Sequence, residues 1–243
     1  MERSLVGSIA GVLLALAAGQ AMATTWMEET VQDPVDGQDC SVHAPGSWGG
    51  YIYQWPGKYE QVFWPLTTER GIWSCPSGFA AFIGDIELSP AEKTAIGAWL
   101  RGQPALAPGY PAQLERLQAV YALRQLAPDR QAQVLRALAF QFENAERPEQ
   151  AAALRARAEA LMRGRLDAPD LPLRLRLEYL FVLANYAREA GREPDTDAAL
   201  VAGLEQAPAD ADLRVYADYL DRLREPARAI RPGGVLDPEA GQE

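Results

Sequence analysis

The sequence predicts an α+β protein that is mainly α: a small β-rich N-terminal module followed by antiparallel helix pairs. Three observations predict it. Five of the six Trp, with Tyr51, Tyr53, Tyr59, Phe63, Phe79 and Phe82, fall before residue 88 in a stretch dense in Gly and Pro. Beyond Ser89 the apolar spacing changes to the helical period near 3.6. Between the two, Ser89-Pro90-Ala91-Glu92 forms a capping box with Pro at the first helical position.

In chain order, residues 1–23 carry Arg3, an apolar run through Ile9, Val12, Leu13, Leu14 and Leu16, a polar break at Gly19-Gln20, and then Ala21-Met22-Ala23. That order is the three-part pattern of a secretory signal peptide cleaved after Ala23. The apolar run is shorter than the roughly 20 residues a membrane span needs, so no membrane span is expected after processing. Arg outnumbers Lys 21 to 2, a bias that suits a GC-rich bacterium, so the expected destination is periplasmic or secreted.

Residues 24–87 hold short apolar runs bounded by turn residues, read as strands: Tyr51-Ile52-Tyr53, Gln61-Val62-Phe63-Trp64 and Gly71-Ile72-Trp73. Trp55-Pro56-Gly57 and Trp64-Pro65 break them, because Pro cannot donate to a ladder. A module this small needs a staple or must lean on its neighbour. Residues 88–230 read as helices: one from Ser89 to Arg101, closed by Gly102, then others around Leu114 and Tyr121, and around Val134 and Phe142. Further helices follow over residues 151–162, stopped by Gly164, and over 173–190, ending at Gly191; two shorter ones are divided by Pro208. Their spacing fits degenerate tetratricopeptide-like pairs or a plain helical bundle. Residues 231–243, with Pro232-Gly233-Gly234 and no aromatic residue, read as a disordered tail.

One run carries a resemblance. Trp73-Ser74-Cys75-Pro76-Ser77-Gly78-Phe79-Ala80-Ala81-Phe82, continuing to Asp85 and Leu88-Ser89, resembles a bacterial domain family of unknown function in which paired C-P-x-C zinc knuckles precede tetratricopeptide-like helices. There the second knuckle reads W-x-C-P-x-C-G-Y-A-A-F-x-x-D; this chain keeps Cys75, Pro76 and the aromatic-Ala-Ala-aromatic run but lacks the knuckle's second Cys. At the first knuckle Cys40 matches and His43 stands where the second Cys would be. The resemblance spans residues 40–89 and implies a zinc-ribbon-like module ahead of helical repeats, without implying a reaction.

Two chemistries follow for the cysteines. A structural zinc ion takes four N or S ligands, and Cys40, His43 and Cys75 supply three, leaving Asp39 or Asp85 to complete the set. In an oxidising compartment the only two Cys of an exported chain read as one bridge, Cys40 to Cys75, and no cofactor is then expected. The preferred fold is accordingly a disulfide-stapled β-rich module with helix pairs, zinc being the alternative. His43, followed by Ala44-Pro45-Gly46, reads as a turn residue, since no nucleophile and orienting acid accompany it.

Composition narrows the function classes. A formal net charge of -10 argues against phosphate-backbone binding, so no nucleic acid is expected, and a single His leaves little from which to build a catalytic triad. The first reading is an exported, non-catalytic interaction or scaffold protein whose helical surface binds a peptide or protein partner in the cell envelope. Asn185, Tyr186, Arg188 and Tyr219 are its candidate contacts. The alternative is a cell-wall or glycan-binding or glycan-processing protein. It would use exposed aromatics such as Trp55 for stacking on sugar faces and carboxylates such as Glu60, Asp85 or Glu87 for acid–base work. Burial of the aromatic cluster, with Trp99 closing it, is the reading that a small core favours.

Overall fold

The computed structural model describes residues 25–47, 56–207, 211–233, 236 and 238. The expected signal peptide, the expected Tyr51-Ile52-Tyr53 strand, Trp48, Trp55, Pro208 and most of the expected tail therefore lie outside the described residues.

The chain folds as a mainly helical α+β protein. Strands β1 (Thr25–Gln32) and β2 (Asp39–Ser47) pair antiparallel, with Val31 opposite Cys40 and Glu28 opposite His43. Their connection is closed by Asp33, whose carboxylate accepts the Val35 amide at 2.8 Å, and by Gly37 at φ 79°, a left-handed position that Gly occupies without steric cost. Sequence reading missed this hairpin because β1 lies mostly exposed and carries no apolar run; β2 buries only Cys40 and Val42, two residues apart on one face.

A second antiparallel hairpin, β3 (Ile72–Ser74) with β4 (Ala80–Phe82), is buried on both sides. Ile72, Ala80 and Phe82 enter the main core with the helices. Trp73 and Ala81 point the other way, into a smaller cluster with Cys40, Cys75, Phe79, Ile96, Leu100 and Val120. That two-sided burial explains the Phe79-Ala80-Ala81-Phe82 run. Alanines let α2 approach β4 closely, and the Phe82 ring packs 5.5 Å from that of Tyr121. At the hairpin turn Gly78 has φ 87°, and a Cβ there would stand 2.4 Å from Arg116 Nη1.

The expected strand Gln61-Val62-Phe63-Trp64 does not form. After the short 3-10 turn Pro56–Tyr59, the amides of Glu60 and Val62 both fold back onto the Gly57 carbonyl at 3.1 Å, and Gln61 takes φ 53°. A main chain bonded to itself in this way has no free edge to offer a ladder.

Cys40 and Cys75 are joined as a disulfide with Cα atoms 5.3 Å apart, and both are buried. The bond consumes both thiolates that a zinc ion would have required. Among the described residues no group of three or more His, Cys, Asp or Glu could hold a metal ion. His43 sits exposed on β2, its carbonyl accepting the Trp73 indole N–H at 2.8 Å.

The helices are α1 (Pro90–Leu100), α2 (Tyr110–Ala122), α3 (Pro128–Asn144), α4 (Pro148–Arg165), α5 (Leu173–Glu189), α6 (Asp197–Glu205) and α7 (Ala211–Ala227). The α1 capping box is complete: the Glu92 amide donates to Ser89 Oγ at 3.3 Å, and the Glu92 carboxylate accepts the Ser89 amide at 2.8 Å. Pro also opens α3 and α4, where its missing N–H costs nothing. Gly164 lies inside α4 rather than ending it, whereas Gly191, at φ 67°, follows α5 as expected. Helix α5 has a long buried run, residues 179–187, because it packs against α4, α6 and α7 at once. The expected tail is packed at its start: the Gly233 amide donates to the Glu189 carbonyl at 2.7 Å, and Leu236 is buried in the main core. Among the described residues no helix is long and apolar enough to cross a membrane.

The seam between strands and helices is a charged clamp. Asp85 accepts from Tyr121 Oη at 2.6 Å, Arg130 at 2.8 Å and Arg124 at 3.2 Å, and Arg124 also reaches Glu92 at 3.0 Å. Burial alone would raise the Glu92 carboxyl, but the amides of Ser89 and Gln125 and the Arg124 guanidinium bring it from 4.5 down to about 2. The folded form therefore favours the charged carboxylate. Its contribution to stability is whole above pH 4.5 and is lost as pH falls toward about 2.

Two outcomes follow. Thiol labelling of the denatured, unreduced protein finds no reactive Cys, and the double substitution Cys40→Ser with Cys75→Ser lowers the urea-unfolding free energy by about 3 to 4 kcal/mol. Glu92→Gln flattens the acid limb of the stability–pH curve below pH 4.5, read by thermal melts across that range.

Candidate functional site: a buried clamp on an irregular segment

A dense, buried polar assembly forms where the irregular segment at and after the Pro56–Tyr59 turn crosses the helices. Tyr59, Glu60 and Gln61 are 0%, 1% and 4% exposed. Gly57 makes their tight turn possible: a Cβ there would stand 2.1 Å from the Val62 carbonyl oxygen. Four helices then hold what the turn presents.

From α5, Asn185 Nδ2 donates to the Tyr59 carbonyl at 2.8 Å, and Tyr186 Oη donates to the Glu60 carboxylate at 2.6 Å. From α3, Arg136 Nη1 donates to the Glu60 carbonyl at 3.2 Å, and its other amino group pairs with Glu178 at 2.6 Å. Arg155 of α4 bridges the Glu60 carboxylate, at 3.2 Å, and Glu143. From α7, Tyr216 Oη donates to Gln61 Oε1 at 3.0 Å, with the exposed Arg174 guanidinium 4.0 Å over its ring. One turn further on, Gln141 of α3 donates to the carbonyls of Leu66 and Thr68.

The electrostatics follow from burial. Removing Arg155 from water would lower its pKa, but the Glu60 and Glu143 carboxylates beside it hold it above the ordinary guanidinium value. Burial and the neighbouring Glu60 charge push the Tyr186 phenol well up, so it stays a proton donor. Burial likewise raises Glu189, which faces the same charges. Glu60, Gln61, Arg155, Asn185, Tyr186 and Tyr216 are each committed to a hydrogen-bond partner, while Arg136 Nε is buried without one. The arrangement grips a peptide segment through its carbonyls and one carboxylate.

The residues singled out in the sequence fall as follows. Tyr186 is buried, 2% exposed, and Asn185 is fully buried, so their polar atoms face the chain's own loop and not an open groove. Arg188 is partly buried and bound to Asn185 Oδ1 at 2.9 Å and to Asp197. Tyr219 is partly buried beside Tyr216, their ring centroids 6.2 Å apart. Trp55 lies outside the described residues. The three carboxylates considered for acid–base work are not brought together. Glu60 is sealed in the clamp, Asp85 belongs to the strand–helix seam, and exposed Glu87 offers its carbonyl to Arg124 at 2.9 Å.

Arg136, Arg155, Gln61 and Tyr216 were missed. A signal existed for the two Arg. Arg136 stands between Leu135 and Ala137, and Arg155 follows Leu154, each on or beside the apolar stripe of a helix where a cation must meet a buried anion. Nothing local announced Gln61, whose partner lies 155 residues away.

Two clefts open elsewhere. One, of about 300 Å³, is lined by Ser41, His43, Glu69, Arg70, Ser74 and Gln113 over Ile72 and Trp73. The other, of about 290 Å³, lies between Phe63, Trp64, Pro65 and Ile83, with Gln61, Arg130 and Gln133 as its polar groups. Comparison with protein-family models, curated proteins and solved structures finds no match to this chain.

Breaking a buried pair from one side leaves an uncompensated charge. Arg155→Met is expected to cost about 3 to 5 kcal/mol in urea unfolding. Tyr186→Phe, which removes only a hydrogen bond to a charged acceptor, is expected to cost about 1.5 to 3 kcal/mol. Combining Arg155→Met with Glu60→Gln loses less than the sum of the two single changes.

Proposed function

We propose that this is an exported, non-catalytic interaction protein of the bacterial cell envelope whose helical array holds a peptide or protein partner. The observation that carries the reading is the clamp itself. Arg136, Asn185 and Gln141 donate to the carbonyls of an irregular segment, while Arg155 and Tyr186 hold its carboxylate. Charge-assisted and carbonyl contacts of this kind are also those by which a helical surface grips a peptide, here made to the chain's own turn. The buried Cys40–Cys75 disulfide and the signal-like residues 1–23 support export, since such bonds persist in oxidising compartments. The likeness of residues 40–89 to zinc-knuckle modules fits a disulfide in the position of the metal staple.

A second reading rests on the cleft beside Trp64. An aromatic ring with the planar polar groups of Gln61, Arg130 and Gln133 suits a sugar ring of wall polymer.

The test combines fractionation and crosslinking. A photo-reactive residue at Val215, an apolar position of α7 that is 66% exposed, is expected to give a discrete crosslinked product in the periplasmic fraction. Protein found only in the cytosol, or no product at any exposed helix position, overturns the interaction reading. Binding to wall fragments that Trp64→Ala abolishes favours the glycan reading in its place.

A further inference from the structure

We propose that the two clefts beside the hairpins are subsites of one surface, joined by the Trp26–Trp64 ring pair, that binds a neutral glycan chain several sugar rings long. This rests on the glycan reading of the Trp64 cleft and goes further by naming a second subsite, the rings between the two, and the length and charge of the ligand. It leaves the exposed Val215 position of α7 untouched, so a protein partner there is compatible with it.

The surface is continuous. The first cleft, of about 300 Å³, opens between residues 41–43 of β2 and the whole of β3, strands that belong to separate sheets. Arg70 lines it and sets its guanidinium 5.7 Å over the Trp26 ring. The Trp26 ring stands 5.8 Å from that of Trp64, and Trp64 lines the second cleft, of about 290 Å³. Both rings are partly exposed.

Both subsites are built before a ligand arrives. The Cys40–Cys75 bond ties β2 to the end of β3, and the Trp73 indole donates to the His43 carbonyl at 2.8 Å, so the walls of the first cleft keep their spacing. Between the clefts, Gln141 of α3 donates to the carbonyls of Leu66 and Thr68. Gly71 lets that turn close, since a Cβ there would stand 2.0 Å from the Pro65 carbonyl oxygen. Trp64 and Arg70, at the two ends of the turn, are thereby held at a fixed separation, which spares a ligand the cost of ordering them.

The linings name the ligand. Ser74 and Gln113 in one cleft and Gln133 in the other offer hydroxyl and amide groups that both donate and accept, the match for a molecule whose every hydroxyl does the same. Ser74 Oγ is buried without a hydrogen-bond partner among the described residues, a cost that a ligand hydroxyl removes. Neither cleft asks for an ion: Glu69 balances Arg70 in the first, and in the second Arg130 is already paired with Asp85 at 2.8 Å. The two Trp planes are inclined by 52°, so a flat fused-ring ligand cannot lie on both, whereas sugar rings that turn at each glycosidic bond can.

The probes are β-1,4-linked N-acetylglucosamine chains of two and five rings, titrated into the full chain by calorimetry. The five-ring chain is expected to bind at least about tenfold tighter than the two-ring chain, because occupying the second subsite becomes an intramolecular step. Trp26→Ala, on a strand that is mostly exposed, is expected to remove that gain. Ser74→Ala is expected to weaken five-ring binding about 3- to 10-fold, the worth of one neutral hydrogen bond, without lowering the melting temperature.

Equal affinity for the two chains, or a length gain that either folded variant keeps in full, overturns the proposal. If Trp64→Ala still abolishes binding in that event, the glycan reading of its cleft survives. If neither chain binds, the glycan reading falls and the proposal falls with it, while a partner crosslinked at Val215 leaves the interaction reading intact.

Discussion

The ion pair between Glu60 and Arg155 is the contact on which the two halves of the molecule depend. Each is buried, and Glu60 could not be left so without the cation, because a lone carboxylate in that position would forfeit its hydration with nothing in return. Satisfying the pair fixes the path of the irregular segment, and that path sets where β3 begins. From there Ile72 and Phe82 enter the helical core, so strands and helices share one interior instead of meeting at a domain surface.

The disulfide works from the opposite side of the same module. Cys40 on β2 and Cys75 after β3 close a loop of 35 residues in sequence separation that contains the whole clamped segment. The crosslink limits how far that segment can wander in the unfolded chain, and the clamp decides where it comes to rest. Asp85, gathering Tyr121, Arg124 and Arg130, supplies a third tie at the entrance to α1. A module too small for a core of its own is thus fixed by covalent, ionic and apolar contacts to a larger neighbour.

Much of this was legible residue by residue. The helices were found because their cues are local: the capping box at Ser89 with Pro at the first position of α1, and an apolar spacing near 3.6 that survives without knowledge of the partner. The hairpin β1–β2 escaped notice because an exposed strand has no pattern to show, and residues 61–64 were read as a strand because apolar runs look alike whether they pair or turn. Asn185 and Tyr186 were singled out as peptide contacts. They do contact a peptide segment, but it is the protein's own.

Sequence alone determined the helical period, the switch at Ser89 and the expectation that two cysteines in a chain with an export-like leader would join, since each depends on neighbours a few positions away or on composition. Only the tertiary structure decided that Glu60 would meet Arg155, that Gln61 would meet Tyr216, and that the inner helical face would be filled from within. Those pairings span 95 and 155 residues, and long-range complementarity of charge and shape leaves no periodic trace in the chain that encodes it.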